Sequence, residues 1–291
     1  MRRLTALAVL LAASPSAWAH YQGHVAAYWV FWVMLIAAGA YAVGWRRTRH
    51  PVQWWKPLLF AVSLLILASG VLGPIAHWAH VSLAGHMTQH MLLLAVVPPL
   101  VLLARPLPQF LQALPLSLRR RVGPVAGRLY QAAGDTPVSA FIVHGLIIWL
   151  WHLPSPLQIS ITDPWLHDAV HLLFFLTGLW FWWSLMAPAR LGRTGFGPAA
   201  VLAALTVMHT GMLGALLTFA PGLLYPEHPA GFADFSELSD QQLAGLIMWV
   251  PGGLVYTIAA LVLGIAWLRQ ATDSGNDAAD QSELRKVEAN F

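Results

Sequence analysis

Residues 86–104 read HMTQHMLLLAVVPPLVLLA, a run that contains no lysine, arginine, aspartate or glutamate. At about 1.5 Å per residue, a helix of this length crosses most of the roughly 30 Å hydrocarbon core of a bilayer. Two histidines stand four positions apart at its start, and a proline pair lies in its second half. The run therefore predicts a membrane-spanning helix with two imidazoles at one end and a kink at Pro98 and Pro99.

The composition of the whole chain also indicates a membrane protein. The 291 residues are 58% hydrophobic and 10% charged, with a mean hydropathy of +0.62 and a pI of about 9.8. Soluble domains are only about 45–50% apolar. The basic residues are dispersed among short loops, so we do not expect a nucleic-acid partner. The absence of cysteine excludes thiolate metal sites, and a soft-metal site must then use histidine and methionine.

Seven apolar runs predict an all-α polytopic fold, a bundle of seven transmembrane helices at 27–45, 56–75, 86–104, 137–153, 165–186, 198–220 and 242–268. Ahead of them, an arginine pair, an apolar stretch and the A-x-A pattern of Ala17–Ala19 predict a cleavable signal peptide. The expected organisation is a signal peptide at 1–19, a transmembrane domain at 20–270 and a disordered cytoplasmic tail at 271–291.

The positions of the basic residues predict the orientation. With the chain outside after the signal peptide, every remaining lysine and arginine falls on the inner side, as the positive-inside rule requires. We therefore expect a multi-pass protein of the bacterial inner membrane with a periplasmic N-terminus and a cytoplasmic C-terminus. A basic stretch at 118–130 predicts a short helix on the anionic lipid surface. The outer side holds carboxylates that attract cations, namely Asp163, Asp168, Glu227, Asp234, Glu237 and Asp240.

Two histidine pairs begin the third and fifth spans, His86 with His90 and His167 with His171. Residues four apart lie on one helix face, where two imidazoles can reach one ion. Both helices run inward from the outer face, so the pairs are expected at a similar depth. They predict a metal site at the outer face. The full set of candidate ligands adds His77, His80, His152, His209 and Met248.

Imidazole and thioether ligands without thiolate suit copper, although zinc also accepts imidazole. Such a site would allow the protein to hold copper at the outer face and deliver it to another protein. Copper import is an alternative to this delivery. A second alternative is a b-type haem protein, with His90 and His171 as axial ligands. A third is a seven-span zinc hydrolase using His167, Asp168 and His171, which lacks the glutamate of an H-E-x-x-H motif.

Four segments together resemble the CtaG family of polytopic cytochrome c oxidase assembly proteins: HMTQH at 86–90 with the prolines at 98–99, WHLP at 151–154, HDAVH at 167–171 and DQQLAGLIMWVPGG at 240–253. The resemblance implies a non-catalytic seven-span protein needed for maturation of a haem-copper oxidase. Its expected partners are oxidase subunits, membrane lipid and a periplasmic copper donor. The positions that it singles out are His86, His90, His152, His167, His171, Asp240 and Met248.

Overall fold

The computed structural model describes residues 25–48, 51–191, 195–226 and 236–288. Within these ranges the regular elements are all helices, which confirms the predicted all-α fold. They are α1 (Val25–Arg47), α2 (Trp55–Val71), α3 (Pro74–Val81), α4 (Leu83–Ala104), α5 (Pro106–Ala113), α6 (Leu116–Gly134), α7 (Pro137–Trp151), α8 (Pro154–Thr162), α9 (Pro164–Leu191), α10 (Phe196–Thr218) and α11, which combines Glu237–Ile247, Met248–Gly252 and Gly253–Glu288. Five of them begin at a proline, whose fixed φ and missing N–H suit the first helical position.

Six described helices are long and apolar enough to cross a membrane: α1, α2 together with α3, α4, α9, α10 and α11. The predicted span at 137–153 corresponds to α7, which is shorter. It passes the same test only together with α6, from which it is bent by 78°, so the described chain has up to seven spans. The protein is therefore a multi-pass helical membrane protein, and the basic stretch at 118–130 lies in helix α6.

Parts of the predicted organisation fall at the ends of the chain. The signal peptide at 1–19 lies outside the described residues. Helix α11 continues to Glu288, through most of the segment assigned to a cytoplasmic tail. The division of the chain into these three regions stays a prediction.

The proline pair interrupts the hydrogen bonding of α4. A turn of π-helix, Leu92–Val96, precedes Pro98 and Pro99. The carbonyl of Leu94 would accept from position 98 in an α-helix or from position 99 in a π-helix, and proline offers an N–H at neither. The indole Nε1 of Trp182 in α9 donates to this oxygen at 2.9 Å. The interrupted hydrogen bonding of α4 therefore ties α4 to α9.

Helices α10 and α11 pack with their backbones nearly in contact at Gly214 and Gly245. A Cβ on Gly245 would lie 2.5 Å from the carbonyl oxygen of Gly214 and 2.6 Å from the hydroxyl of Thr218. Small residues allow such close helix packing in membranes, where van der Waals contact replaces the hydrophobic effect. The pair sits directly before the second π-helical turn, Met248–Gly252, which contains Pro251.

This contact gives a stability prediction. The substitution Gly245→Ala forces α10 and α11 apart and should lower the free energy of unfolding by about 1–3 kcal/mol, the usual cost of overpacking. Gly264, also in α11, has no atom within 4 Å of its would-be Cβ, so Gly264→Ala is the matched control. Thermal unfolding of the purified variants in detergent measures the difference. Equal melting temperatures for G245A and G264A would disprove the close contact.

Candidate metal centre

Three histidines from two helices meet near one end of the bundle. His86 lies in the first turn of α4, and His167 and His171 occupy one face of α9 near its start. One nitrogen from each ring lies within 4.8 Å of the other two. An ion held at about 2 Å from three nitrogens needs nitrogen separations of roughly 3.5 Å, and rotation of the three imidazoles can shorten the present distances to that value. His86 and His171 are buried and His167 is half-buried. We call this group the histidine cluster and the end of the bundle that carries it the histidine end.

His90 and His152 extend the cluster inward. The ring of His90 lies 4.4 Å from that of His86 and 5.3 Å from that of His171, centroid to centroid. Its Nδ1 is 3.3 Å from Nε2 of His152, and Nδ1 of His152 is 2.7 Å from the carbonyl oxygen of Ile148. A carbonyl only accepts, so Nδ1 of His152 carries the proton and its Nε2 accepts one from His90. Neutral His90 then has a lone pair on Nε2, the form that binds a metal.

The inner wall of the centre is apolar. Phe174 packs against His90 and His152, with ring centroids 4.8 and 5.8 Å away. Three methionines, Met87, Met91 and Met248, are buried in the same hydrophobic cluster as Phe174. Met248, one of the predicted ligands, therefore lies among apolar side chains.

Asp240 of α11 holds the beginning of α4. Its carboxylate accepts hydrogen bonds from the Ser82 hydroxyl and the Leu83 amide, both at 2.6 Å, and from the Ala84 amide at 3.4 Å. Ser82 is the N-cap of α4, and its Oγ also accepts from the Gly85 amide at 3.2 Å. A carboxylate at a helix N-terminus is stabilised by free N–H groups and by the helix dipole. Asp240 therefore sets the position of the turn that carries His86.

Gln241 and Tyr225 secure the described part of the loop that follows α10, residues 219–226. Gln241 is buried; it accepts from the Leu224 amide at 2.6 Å and donates to the Gly222 carbonyl at 3.2 Å. The hydroxyl of Tyr225 donates to the carbonyl of His152 at 2.6 Å. Burial raises the pKa of Tyr225 to about 12, so the phenol keeps its proton and remains a donor. The loop thus braces the residue that orients His90.

A cavity of about 120 Å³ borders the histidine cluster between α1, α2, α4 and α9. His171 and Asp168 form its polar part, and Trp29, Met34 and Phe175 are among its apolar lining. The cavity gives His171 an approach that does not pass through the apolar inner wall.

Three other predicted ligands, His77, His80 and His209, are not part of the three-histidine group. His77 and His80 are exposed on α3. His209 lies in α10, where its Nδ1 accepts from the indole of Trp149 at 3.3 Å. His209 thus takes part in packing α10 against α7. Among the described residues, the structure brings together His86, His167 and His171, with His90 and His152 adjoining them.

Several residues of the centre were not found from sequence. Ser82 carries a recognisable local signal, a serine directly before an apolar helical run. Gln241 and Tyr225 carry none, because Gln241 bonds to loop residues 17 and 19 positions away and Tyr225 bonds to the carbonyl of His152, 73 positions away.

The fold and the centre together define a polytopic helical membrane protein with a buried histidine cluster near one end of its bundle. The family model described as cytochrome c oxidase caa3 assembly factor (Caa3_CtaG) matches residues 39–270. The chain belongs to this family, as the resemblance in its motifs indicated. Comparison with curated proteins and comparison with solved structures each give no match.

The Asp240 contact gives a second prediction. In Asp240→Asn the charge is lost and an amide group faces backbone donors, so the free energy of unfolding should fall by about 1.5–3 kcal/mol. Asp163→Asn is the matched control, because exposed Asp163 caps α9 through the amides of Trp165 and Leu166 at 2.9 and 3.2 Å. Loss of the Asp163 charge should lower the free energy of unfolding by about 1 kcal/mol or less. Thermal unfolding of both variants measures the two losses of stability. A loss in D240N that is equal to or smaller than the loss in D163N would contradict the anchoring role.

Proposed function

We propose that this assembly factor binds copper at the histidine cluster and passes it to a subunit of the oxidase. The observation that carries the proposal is the meeting of His86, His167 and His171 within chelating distance. Family membership supports the role in oxidase assembly and favours a non-catalytic function. The copper and its delivery are inferred from the chemistry of the residues.

The arrangement favours a small ion over a haem. The rings of His90 and His171, the suggested axial ligands, are 5.3 Å apart at their centroids, and His86 lies close to both. A porphyrin plane does not fit between rings in such contact. Imidazole binds both copper and zinc, but Met87, Met91 and Met248 are buried in the hydrophobic cluster that contains Phe174, and thioethers are soft donors that suit cuprous copper.

His90 and His152 take different roles in this proposal. His90, with its Nε2 lone pair and its ring against His86 and His171, is the candidate fourth ligand. His152 accepts the proton of His90 Nδ1 and thereby fixes the tautomer and the ring orientation. Metal-binding histidines commonly have such a partner on the other ring nitrogen.

Delivery requires that the ion can leave again. Histidine and methionine exchange copper more readily than thiolates in a closed site, and the cavity beside His171 and Asp168 gives an acceptor a route to the cluster. We infer that the acceptor, an oxidase subunit, approaches from the histidine end, which the positive-inside rule predicts to face the periplasm.

The binding test compares two sets of substitutions in the purified full-length protein. The triple variant His86→Ala, His167→Ala, His171→Ala should lose stoichiometric copper in a competition titration with a Cu(I) chelator. The control His77→Ala with His80→Ala removes two exposed histidines of α3 and should bind as the unmodified protein does.

The outcomes separate the alternatives. Copper retained by the triple variant would overturn the site, and tighter binding of zinc than of copper in the unmodified protein would overturn the choice of metal. Uptake of copper into vesicles that contain the protein would favour transport over delivery.

The role of His152 gives a further prediction. His152→Leu removes the acceptor for His90, so the copper affinity should fall about 10–100-fold while one ion still binds at saturation. Tyr225→Phe removes only the hydrogen bond to the His152 carbonyl and keeps the ring nitrogen that accepts from His90, so this control should lose less affinity than H152L. X-ray absorption of the copper-loaded proteins counts the imidazoles. One imidazole fewer in H152L would identify His152 as a ligand instead.

A further inference from the structure

A groove lies at the opposite end of the bundle, between α2, α4, α9 and α11, with a volume of about 710 Å³. Its floor includes the buried side chains of Trp182 and Leu185. Ile258 and Val262 line it and remain more than half exposed, so the groove opens sideways. Its volume falls within the roughly 300–1,000 Å³ of ligand-binding pockets. We call it the basic-end groove.

Two cationic side chains from different helical regions line this apolar groove. Lys56 belongs to the first turn of α2, and Arg105 follows the last residue of α4. The lining residues that the structure describes include no aspartate or glutamate. The Nζ of Lys56 lies 5.4 Å from the ring centroid of Trp55, a residue type that anchors at the membrane interface. The groove thus combines an apolar body with a cationic mouth.

The backbone at Arg105 supports a role for its side chain. Arg105 has φ 52° and ψ 58°, and it is the one residue other than glycine with positive φ among those described. Glycine adopts this conformation without strain, whereas an L side chain makes it costly. Arginine thus occupies a position where glycine would cost the least conformational energy. Its guanidinium group can bind phosphate with two parallel hydrogen bonds.

We propose that the basic-end groove binds an anionic phospholipid, with its acyl chain on the apolar floor and its headgroup between Lys56 and Arg105. The sideways opening admits a lipid from the bilayer, and the two cations select for net negative charge. The site is separate from the histidine cluster and does not depend on copper.

Native mass spectrometry of the full chain tests the site, using micelles with equal amounts of phosphatidylglycerol and phosphatidylcholine. The unmodified protein should retain phosphatidylglycerol preferentially. In Lys56→Gln with Arg105→Gln the preference should fall by about fivefold per cation removed. Glutamine keeps a side chain at position 105, so the backbone cost is unchanged. Arg120→Gln with Arg121→Gln, two exposed positions of α6, removes the same charge away from the groove and should keep the preference.

A third variant tests the groove itself. Val262→Trp keeps both cations but covers the opening, and it should reduce the retention of both lipids. The proposal is overturned by an absence of preference in the unmodified protein, by equal losses in the two double variants, or by unchanged retention in V262W. Melting temperatures of all variants confirm that the fold is intact.

Discussion

The carboxylate of Asp240 is the constraint on which the centre depends. It joins α11 to the start of α4, 158 positions away in the chain, by accepting hydrogen bonds from the Ser82 hydroxyl and from the first amides of α4. Asp240 is 2% exposed, so these hydrogen bonds are shielded from competing water. A buried charge without partners would destabilise the fold by several kcal/mol. The same bonds that stabilise Asp240 therefore fix the turn from which His86 reaches the histidines of α9.

A second constraint lies deeper in α4. The proline pair leaves the Leu94 carbonyl without a backbone donor, and Trp182 of α9 supplies one. Helix α4 is thus held against α11 near its start and against α9 at its π-helical turn. The helix that carries His86 is therefore fixed at two depths, and one of the two contacts is with α9, the other histidine-bearing helix. This rigidity is what a metal centre built from two helices requires, since its ligands must keep their separation before the ion arrives.

The sequence predicted the parts of this structure that depend on local pattern. Apolar length placed α4 and α9 within a few residues, and the i, i+4 spacing put His167 and His171 on one face. Contacts between distant helices were beyond such reasoning. Nothing near His152 signals that its ring accepts from His90, and Asp240 stood out only through the family resemblance. His77 and His80 looked equivalent to the other histidines because sequence spacing does not reveal that α3 turns them outward.

These constraints describe a scaffold that holds histidines close together near one end of a membrane bundle, which is what the proposed loading of copper into an oxidase requires. The most direct test replaces the gene with one encoding the variant that lacks His86, His167 and His171. The copper content and a-type haem spectrum of the purified oxidase are then measured with and without added copper. The account predicts loss of oxidase copper, restored by excess copper in the medium. An oxidase with full copper and an unchanged spectrum in the variant strain would contradict it.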